Sequence, residues 1–493
     1  MRGSERPRSY AAAPGARLLL LAVLGAAALF VVTRPAPRSG GEEPAARGVT
    51  AVRRAARAPA VDGSVVGGCT PGNGGCVGAT LRDDWPAAAP PAPHPDCTAA
   101  QVVNQLDWFT LQHTTLQAQG KPRYGPTSCN SNAGWMAALR DLDIDALLAC
   151  RARAAAAAAA AAGGGGSGSG SDHDAACRIR RRAINVGANK GYLAAALVDF
   201  FRPFQAGVNV RTLRRYLAGV ATNTHISRCG VCQDCREVAV PVDLAAVHAR
   251  LGGDDAAGGD ETARWLDARA ALSVYEVEPT PSNLAILTGF AAFAGADGGG
   301  SLLPLQYAVS NASGVGAFPD GGGGDERGSL AALRADASPG YALVNITTVD
   351  ALMRRHVDPA AQHVLDFLLL DTEGYDPAAL AGAAGTLPVT RLLMFEYHFA
   401  GLWGGERTLE RTVRELAGEG FDCYLAWGDQ LVRLTGCWSP KLEIQWWANV
   451  LCANRRDAAW AAAVARLATK WQAPVNEPPP PLETYAWEMA DSE

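Results

Sequence analysis

The sequence predicts an α/β fold: a doubly wound, mostly parallel sheet of seven strands with helices on both faces. Three observations predict it. Short, nearly continuous apolar runs recur along the second half of the chain and alternate with helical stretches, the pattern of parallel strands covered on both faces. The first run leads through a glycine-rich turn into an apolar helix, "INVGANKGYLAAALVDFF" from Ile184 to Phe201. Later runs end in acidic residues, at Glu278, Asp371 and Glu396. In such a sheet the ligand binds at the carboxyl ends of the strands.

The segments ahead of the sheet have a different character. Arg2, Arg6, Arg8 and Arg17 precede an unbroken apolar run from Leu18 to Val32. The run is shorter than the ~20 residues a bilayer core asks for. Residues 1–33 are therefore expected to be a cytoplasmic tail with a signal anchor, or a signal peptide cut near Ala26 to Ala28. The anchor makes the membrane a partner and gives a single-pass type II protein of the Golgi or another secretory compartment. An Arg-rich, acid-poor start also suits a plastid address. The 12 cysteines fit an oxidising compartment, and the sequons at Asn311 and Asn345 would be open to glycosylation there. Residues 34–95, rich in Pro, Gly and Ala, read as a disordered stem. Residues 96–150 read as a small helical segment, and residues 151–174 as an Ala/Gly/Ser linker. A net charge of −5 gives no reason to expect nucleic acid.

Residues 175–455 carry the predicted sheet. Its strands are "RRAINV", "ALSVYEV", "LLPLQYAV", "VLDFLLLD", "TRLLMFEY", "FDCYLAW" and "QLVRLTG". The last two follow a helix from Glu406 to Gly418 and read as a closing antiparallel pair. An insertion at about residues 202–268 separates the glycine turn from the second strand. It contains Cys229, Cys232 and Cys235 with His225 upstream, a spacing open to zinc or to disulfides. Residues 456–493 read as a C-terminal helix and a Pro-rich tail.

The turn Gly187-Ala188-Asn189-Lys190-Gly191 departs from the dinucleotide fingerprint GxGxxG, with Asn189 and Tyr192 where glycines would stand. It still offers a tight turn with N–H groups at a helix start. These suit a carboxylate or hydroxyl-bearing ligand better than a pyrophosphate. Glu278 at the end of the next strand can accept ribose hydroxyls. The fourth strand's end supplies Asp371 and Glu373, able to orient or deprotonate a hydroxyl, with Asp376 as the cap of the following helix. The fifth supplies Glu396 and His398, the histidine a general base near neutral pH.

"INVGANKGY", "YEVEPTPSNL", "AVSNASG", "TTVDALM", "DFLLLDTEGYDPAALAGA" and "LLMFEYH" occur in the order found in the FkbM family of methyltransferases, which this chain resembles from about Arg181 to Gly436. The resemblance implies a class I methyltransferase fold and S-adenosylmethionine as cofactor. It implies cofactor contacts at Asn185, Gly187, Asn189, Gly191, Glu278 and Ala308, and catalytic roles for Asp371, Glu373 and His398. It implies a hydroxyl acceptor, which a luminal address makes a carbohydrate, and Trp403, Trp427, Trp438, Trp446 and Trp447 are candidate ring faces for a sugar. No metal site is assigned. Two other readings remain open: an NAD-dependent oxidoreductase, and a binding protein that keeps the fold without the chemistry.

Overall fold

In the computed structural model of the chain, the described residues are 86–87, 132–162, 177–202, 207–220, 265–266, 268–295, 301–325, 328–330, 338–398, 401–403, 407–427, 430–438, 440–443 and 448–469. The apolar run at Leu18 to Val32, the stem apart from residues 86–87 and the Cys229/Cys232/Cys235 group lie outside them. Among the described residues, no helix is long and apolar enough to cross a membrane.

The strands are β1 Ile179–Val186, β2 Ala270–Val277, β3 Leu302–Leu305, β4 Ala308–Val309, β5 Gly314–Pro319, β6 Tyr341–Thr347, β7 Leu365–Leu370, β8 Thr390–Tyr397, β9 Phe421–Trp427, β10 Gln430–Arg433 and β11 Ala448–Asn454. The helices are α1 Ala133–Ala162, α2 Tyr192–Phe201, α3 Val210–Val220, α4 Pro281–Phe293, α5 Val349–Leu352, α6 Asp376–Ala381, α7 Leu409–Gly418 and α8 Ala458–Thr469. The main sheet runs β10-β9-β11-β8-β7-β1-β2-β3. From β3 to β8 every pairing is parallel; from β8 to β10 every pairing is antiparallel.

The sheet thus has eight strands where the sequence predicts seven. The addition is β11, which inserts between β8 and β9 and parts strands that would otherwise be neighbours. Its residues, "ANVLCAN", mix a short apolar core with asparagines and lack the long apolar run of β7. The predicted strand "LLPLQYAV" also divides. It breaks at Gln306-Tyr307, leaving β3 in the main sheet and β4 in a second sheet of order β4-β6-β5. The poly-alanine stretch assigned to a linker continues α1 as far as Ala162, in keeping with alanine's helix propensity. A disulfide between Cys150 and Cys177 joins the middle of α1 to the start of the sheet domain.

Both faces of the sheet are packed, and alternate residues of one strand divide between them. Phe367 and Leu369 of β7 join a core with Trp135, Phe200, Phe201, Phe290 and Trp460. Leu368 and Leu370 join the opposite core with Val349, Leu352, Leu380, Leu416 and Trp403. In this way α1, α2, α4 and α8 cover one face, and α5, α6 and α7 the other. Part of the predicted insertion, α3, sits on the first face through Leu213 and Leu217.

At the amino ends of the central strands a buried ion-pair network fastens α1 and α8 to the sheet. Arg181 of β1 bonds both Asp143 of α1 and Asp366 of β7, the latter at 2.8 Å. Arg391 of β8 reaches Asp366 at 3.3 Å and Asp457 at 2.8 Å. Both guanidinium groups lie over the Trp460 ring, at 4.9 and 5.4 Å. Burial works against the Arg181 charge, but Asp143 and Asp366 outweigh it and raise its basicity. Removing one member of such a group strands its partners in a poorly solvated place. Arg181→Met is expected to cost about 3–5 kcal/mol. A lower urea midpoint with an unchanged slope would show it; an unshifted midpoint would mean the network contributes little.

Candidate ligand and active site

The carboxyl ends of β1, β2 and β7 surround a cavity of about 560 Å³, with solvent at its mouth included. Its polar lining includes Asn189, Glu278, Asp325, Asp371 and Glu373, and Val309, Phe318 and Leu330 give it an apolar wall.

Glycine is required where β1 ends. Gly187 has φ +74°, and a Cβ there would lie 1.7 Å from the Asp371 carbonyl oxygen. The approach is fixed by the Asp371 N–H, which donates to the Val186 carbonyl at 3.0 Å. Gly191, at φ +86°, starts α2 and is less tightly packed. A Cβ there would meet Leu287 at 2.9 Å and a Glu276 oxygen at 3.0 Å. Asn189 stands where the dinucleotide fingerprint has glycine and still takes φ +51°, a conformation that asparagine tolerates better than most residues.

The turn's N–H groups are not held open for a ligand, as the sequence suggests they would be. Gly187 and Ala188 both donate to the Val277 carbonyl, at 2.9 and 3.2 Å, and Gly191 donates to the Ala188 carbonyl at 2.8 Å. The Asn189 N–H donates to Glu278 Oε2 at 2.9 Å. The insertion before β2 does not disturb this, because β1 and β2 pair along their whole length. What the turn does present is the Asn189 side chain, whose Oδ1 is buried with no hydrogen-bond partner among the described residues.

Glu278 follows β2 and is almost fully buried. Its Oε1 accepts from the Thr280 N–H at 2.9 Å and from the Thr280 hydroxyl. Burial raises its pKa, and the hydrogen bonds from Thr280, Asn189 and Asn283 oppose that rise. Ala308 opens β4 and lines the cavity beside Tyr307. Asn185 is buried within β1, beside Glu276 of β2 in register, and does not reach the lining.

Past β7, Asp371 is exposed and Glu373 half-buried, and both line the cavity. Glu373 adopts φ +53° and Gly374 φ +89°. A left-handed glutamate is costly and is held there by its surroundings. The Ser329 hydroxyl donates to the Glu373 carbonyl at 3.0 Å, and the Leu402 N–H donates to the Gly374 carbonyl at 2.8 Å. Asp376 is not the cap of α6, whose cap position is Tyr375. Its buried carboxylate accepts from the Thr372 hydroxyl at 2.9 Å and the Glu396 N–H at 3.2 Å, so it ties the turn after β7 to the end of β8. Burial pushes its pKa up to about 6.

His398 is fully buried behind that turn and does not line the cavity. Its Nε2 lies 3.3 Å from Glu396 Oε2. Burial lowers its pKa to about 4, so the ring is neutral at pH 7 and a weaker base than the sequence alone suggests. Trp403 packs on Phe395 and Tyr397, and Trp438 packs on the same core; neither lines the cavity.

Several lining residues escape a reading of the sequence. Asn283 in the first turn of α4 accepts from the Gly324 N–H at 2.7 Å and donates to the Asp325 carbonyl at 3.0 Å, holding the segment after β5 against the site. Phe318 and Leu330 arrive from β5 and the segment after it. The β-rich text "YALVNIT" of β6 was the available signal for this second sheet.

With a glycine turn, carboxylates at the switch point and an apolar wall, the molecule has a doubly wound α/β architecture, in which the crevice at the strand ends is the usual place for a ligand. Residues 255–423 match the model of the methyltransferase FkbM domain. The chain contains a domain of the FkbM methyltransferase family. The match begins after the Gly187 turn and takes in Glu278, Asp371, Glu373, Glu396 and His398.

A methyltransferase FkbM from Methylobacillus flagellatus KT is similar at 11% identity and a TM-score of 0.24, over 53% of this chain and 57% of that one. This chain therefore spans little more than half of that relative's length. An uncharacterized protein from Burkholderia thailandensis is similar at 13% identity and a TM-score of 0.16, over 77% and 79% of the two chains. Similarities this low leave the fold to the strand order and the family match. No curated protein matches the sequence.

Glu276, on β2 beneath Gly191, is fully buried, and neither carboxylate oxygen has a partner among the described residues. Burial, aided by repulsion from Glu278, raises its pKa to about 8 against 4.5 in the unfolded chain. The folded protein therefore holds a proton here that the unfolded chain releases. Its contribution to stability is fully present below pH 4.5 and declines until about pH 8. In Glu276→Gln this decline is removed. The variant's stability relative to wild type should rise across that window, at up to about 1.4 kcal/mol per pH unit. Parallel stability–pH curves from urea titrations would refute the assignment.

Proposed function

We propose that the chain is an S-adenosylmethionine-dependent O-methyltransferase whose acceptor is a carbohydrate hydroxyl of the secretory pathway. The observation that carries the nucleoside part is the engagement of the glycine turn. With the Gly187, Ala188, Asn189 and Gly191 N–H groups bonded to β2 or within the turn, little is left there to hold a pyrophosphate. That disfavours NAD and favours a nucleoside without phosphates.

The residues fit such a cofactor. Glu278 can accept a ribose hydroxyl if the Thr280 hydroxyl or the Asn283 amide gives way, since both are side-chain donors able to turn. Asn189 Oδ1 is an acceptor for an ammonium group. Val309, Phe318 and Leu330 can cover a base. When bound, S-adenosylmethionine supplies a methyl group already activated by a sulfonium. The chain's own task is then alignment, exclusion of water and care of one proton. Asp371, exposed at the end of β7, is the carboxylate best placed to orient an acceptor hydroxyl and take its proton. Glu373 stands beside it with its backbone fixed.

The compartment rests on other features. The Cys150–Cys177 and Cys423–Cys452 disulfides suit an oxidising lumen. Asn311 and Asn345 are exposed on the surface of the second sheet, where a glycan would meet no packing obstacle. A signal anchor at residues 18–32 would bring the domain there.

Calorimetry of the full chain with S-adenosylhomocysteine and with NAD separates the readings: the first should bind and the second should not. Binding of neither would leave a non-catalytic protein. Glu278→Ala should weaken S-adenosylhomocysteine about ten- to a hundredfold, the worth of a charged hydrogen bond; a folded variant with wild-type affinity would remove Glu278 from the site. Asp371→Asn should lower turnover about 10²–10⁴-fold while cofactor affinity stays near wild type. Unchanged turnover would leave proton removal to water and reduce the site to positioning. Mass spectrometry of glycans from cells lacking the protein should show the loss of methyl groups; an unaltered glycan profile would exclude the carbohydrate acceptor.

A further inference from the structure

Glu373, Glu396 and His398 come from two neighbouring strand ends and meet at one point. Each offers a ligand atom, and among the described residues these atoms all lie within 4.8 Å of one another. The convergence follows from topology. Strands β7 and β8 are adjacent and parallel, so their carboxyl ends finish side by side. Glu396 stands near the end of β8, His398 one residue past it and Glu373 in the turn after β7. Asp376 holds the two ends together by accepting both the Thr372 hydroxyl and the Glu396 N–H.

We propose that these three residues form a binding site for a first-row divalent cation, with two carboxylates and one imidazole as ligands. Donor atoms about 2.0–2.2 Å from a shared ion stand at most about 4.4 Å apart, and about 3.5 Å apart in a tetrahedral set. Side-chain movement of about 1 Å would close the present set around a cation. Two carboxylates in so small and sheltered a space repel each other, and a divalent ion turns that repulsion into attraction. The mixed oxygen and nitrogen donors suit Mn²⁺ or Zn²⁺ better than Ca²⁺, which takes oxygen ligands alone. His398 is fully buried and the Glu396 side chain is 13% exposed, whereas Glu373 lines the cavity. The protein ligands therefore close the inner side of the site. The remaining coordination positions face the cavity beside Asp371, where an acceptor hydroxyl would stand. A cation there draws electron density from that hydroxyl and makes its proton easier to remove. This role rests on the methyltransferase reading; the binding of the cation does not.

Mn²⁺ is the probe of choice, because Zn²⁺ would also be drawn to Cys229, Cys232 and Cys235 were they thiols. The full chain, stripped with a chelator, is titrated with Mn²⁺ and followed by electron paramagnetic resonance. S-adenosylhomocysteine affinity is measured on the same preparation. Wild type should take up one equivalent. Glu396→Gln, which keeps the shape of the side chain, should weaken uptake at least about tenfold with S-adenosylhomocysteine affinity and circular dichroism unchanged. Glu373→Gln, changed at the cavity wall, serves as the second variant should Glu396→Gln fold poorly. No Mn²⁺ uptake by wild type, or equal uptake by well-folded variants, overturns the site. A chain that binds S-adenosylhomocysteine but no Mn²⁺ loses the cation and keeps the methyltransferase reading. One that binds Mn²⁺ at these residues but no S-adenosylhomocysteine keeps the cation site and loses that reading.

Discussion

One carbonyl oxygen organises the ligand end of this protein. The Val277 carbonyl, last in β2, accepts the N–H groups of both Gly187 and Ala188, and the next acidic side chain, Glu278, accepts that of Asn189. These bonds fold the turn after β1 against β2. From the other side the Asp371 backbone closes on Gly187 so tightly that no side chain fits. The ends of three strands are thereby fixed to one another before any ligand arrives, and each lining side chain inherits its position from that union. Rigid strand ends are a better platform for an aligned reaction than free loops.

The opposite end of the same strands is fixed by different means. Arg181, Asp143, Asp366, Arg391 and Asp457 form a buried array of alternating charge beneath Trp460. Taking such charges out of water is costly, and each is tolerated because its neighbours are opposite in sign. At the ligand end, carboxylates gather instead: Glu276, Glu278, Asp371, Glu373 and Asp376. Burial raises the pKa of Glu276, Glu278 and Asp376. Charge is balanced where the sheet is anchored and left in tension where it meets ligand, a common distribution at functional sites.

The main sheet was largely legible because its parallel strands are apolar on both faces, and "VLDFLLLD" or "TRLLMFEY" can hardly be anything else. The antiparallel additions were harder. β11 draws its stability from pairing on both sides and from Cys452, bonded to Cys423 across the ladder, none of which leaves a periodic trace. Glu278, Asp371 and Glu373 were legible as lining residues because topology fixes where strand ends go, whereas the burial of His398 behind its turn was not. Asn283, Phe318 and Leu330 were not: Asn283 is a helix residue whose role depends on the segment it holds, and Phe318 and Leu330 come from β5 and the segment after it, whose contact with the main sheet is tertiary. The turn itself shows the limit most clearly. Its glycines are visible in the sequence, but which groups its N–H donors satisfy is decided by the neighbouring strand.

The Cys150–Cys177 bridge gives the fold an unusual form of insurance. It joins a cysteine within α1 to the residue two places before β1, so the chain between them is not needed to keep α1 beside the sheet. That chain is a homopolymeric run of alanine followed by glycine and serine. Because the covalent path through sulfur bypasses it, residues can be gained or lost there without altering the spacing that Arg181 and Asp143 require. A protease that cuts the same stretch releases nothing: the two pieces stay one molecule until a reductant parts them.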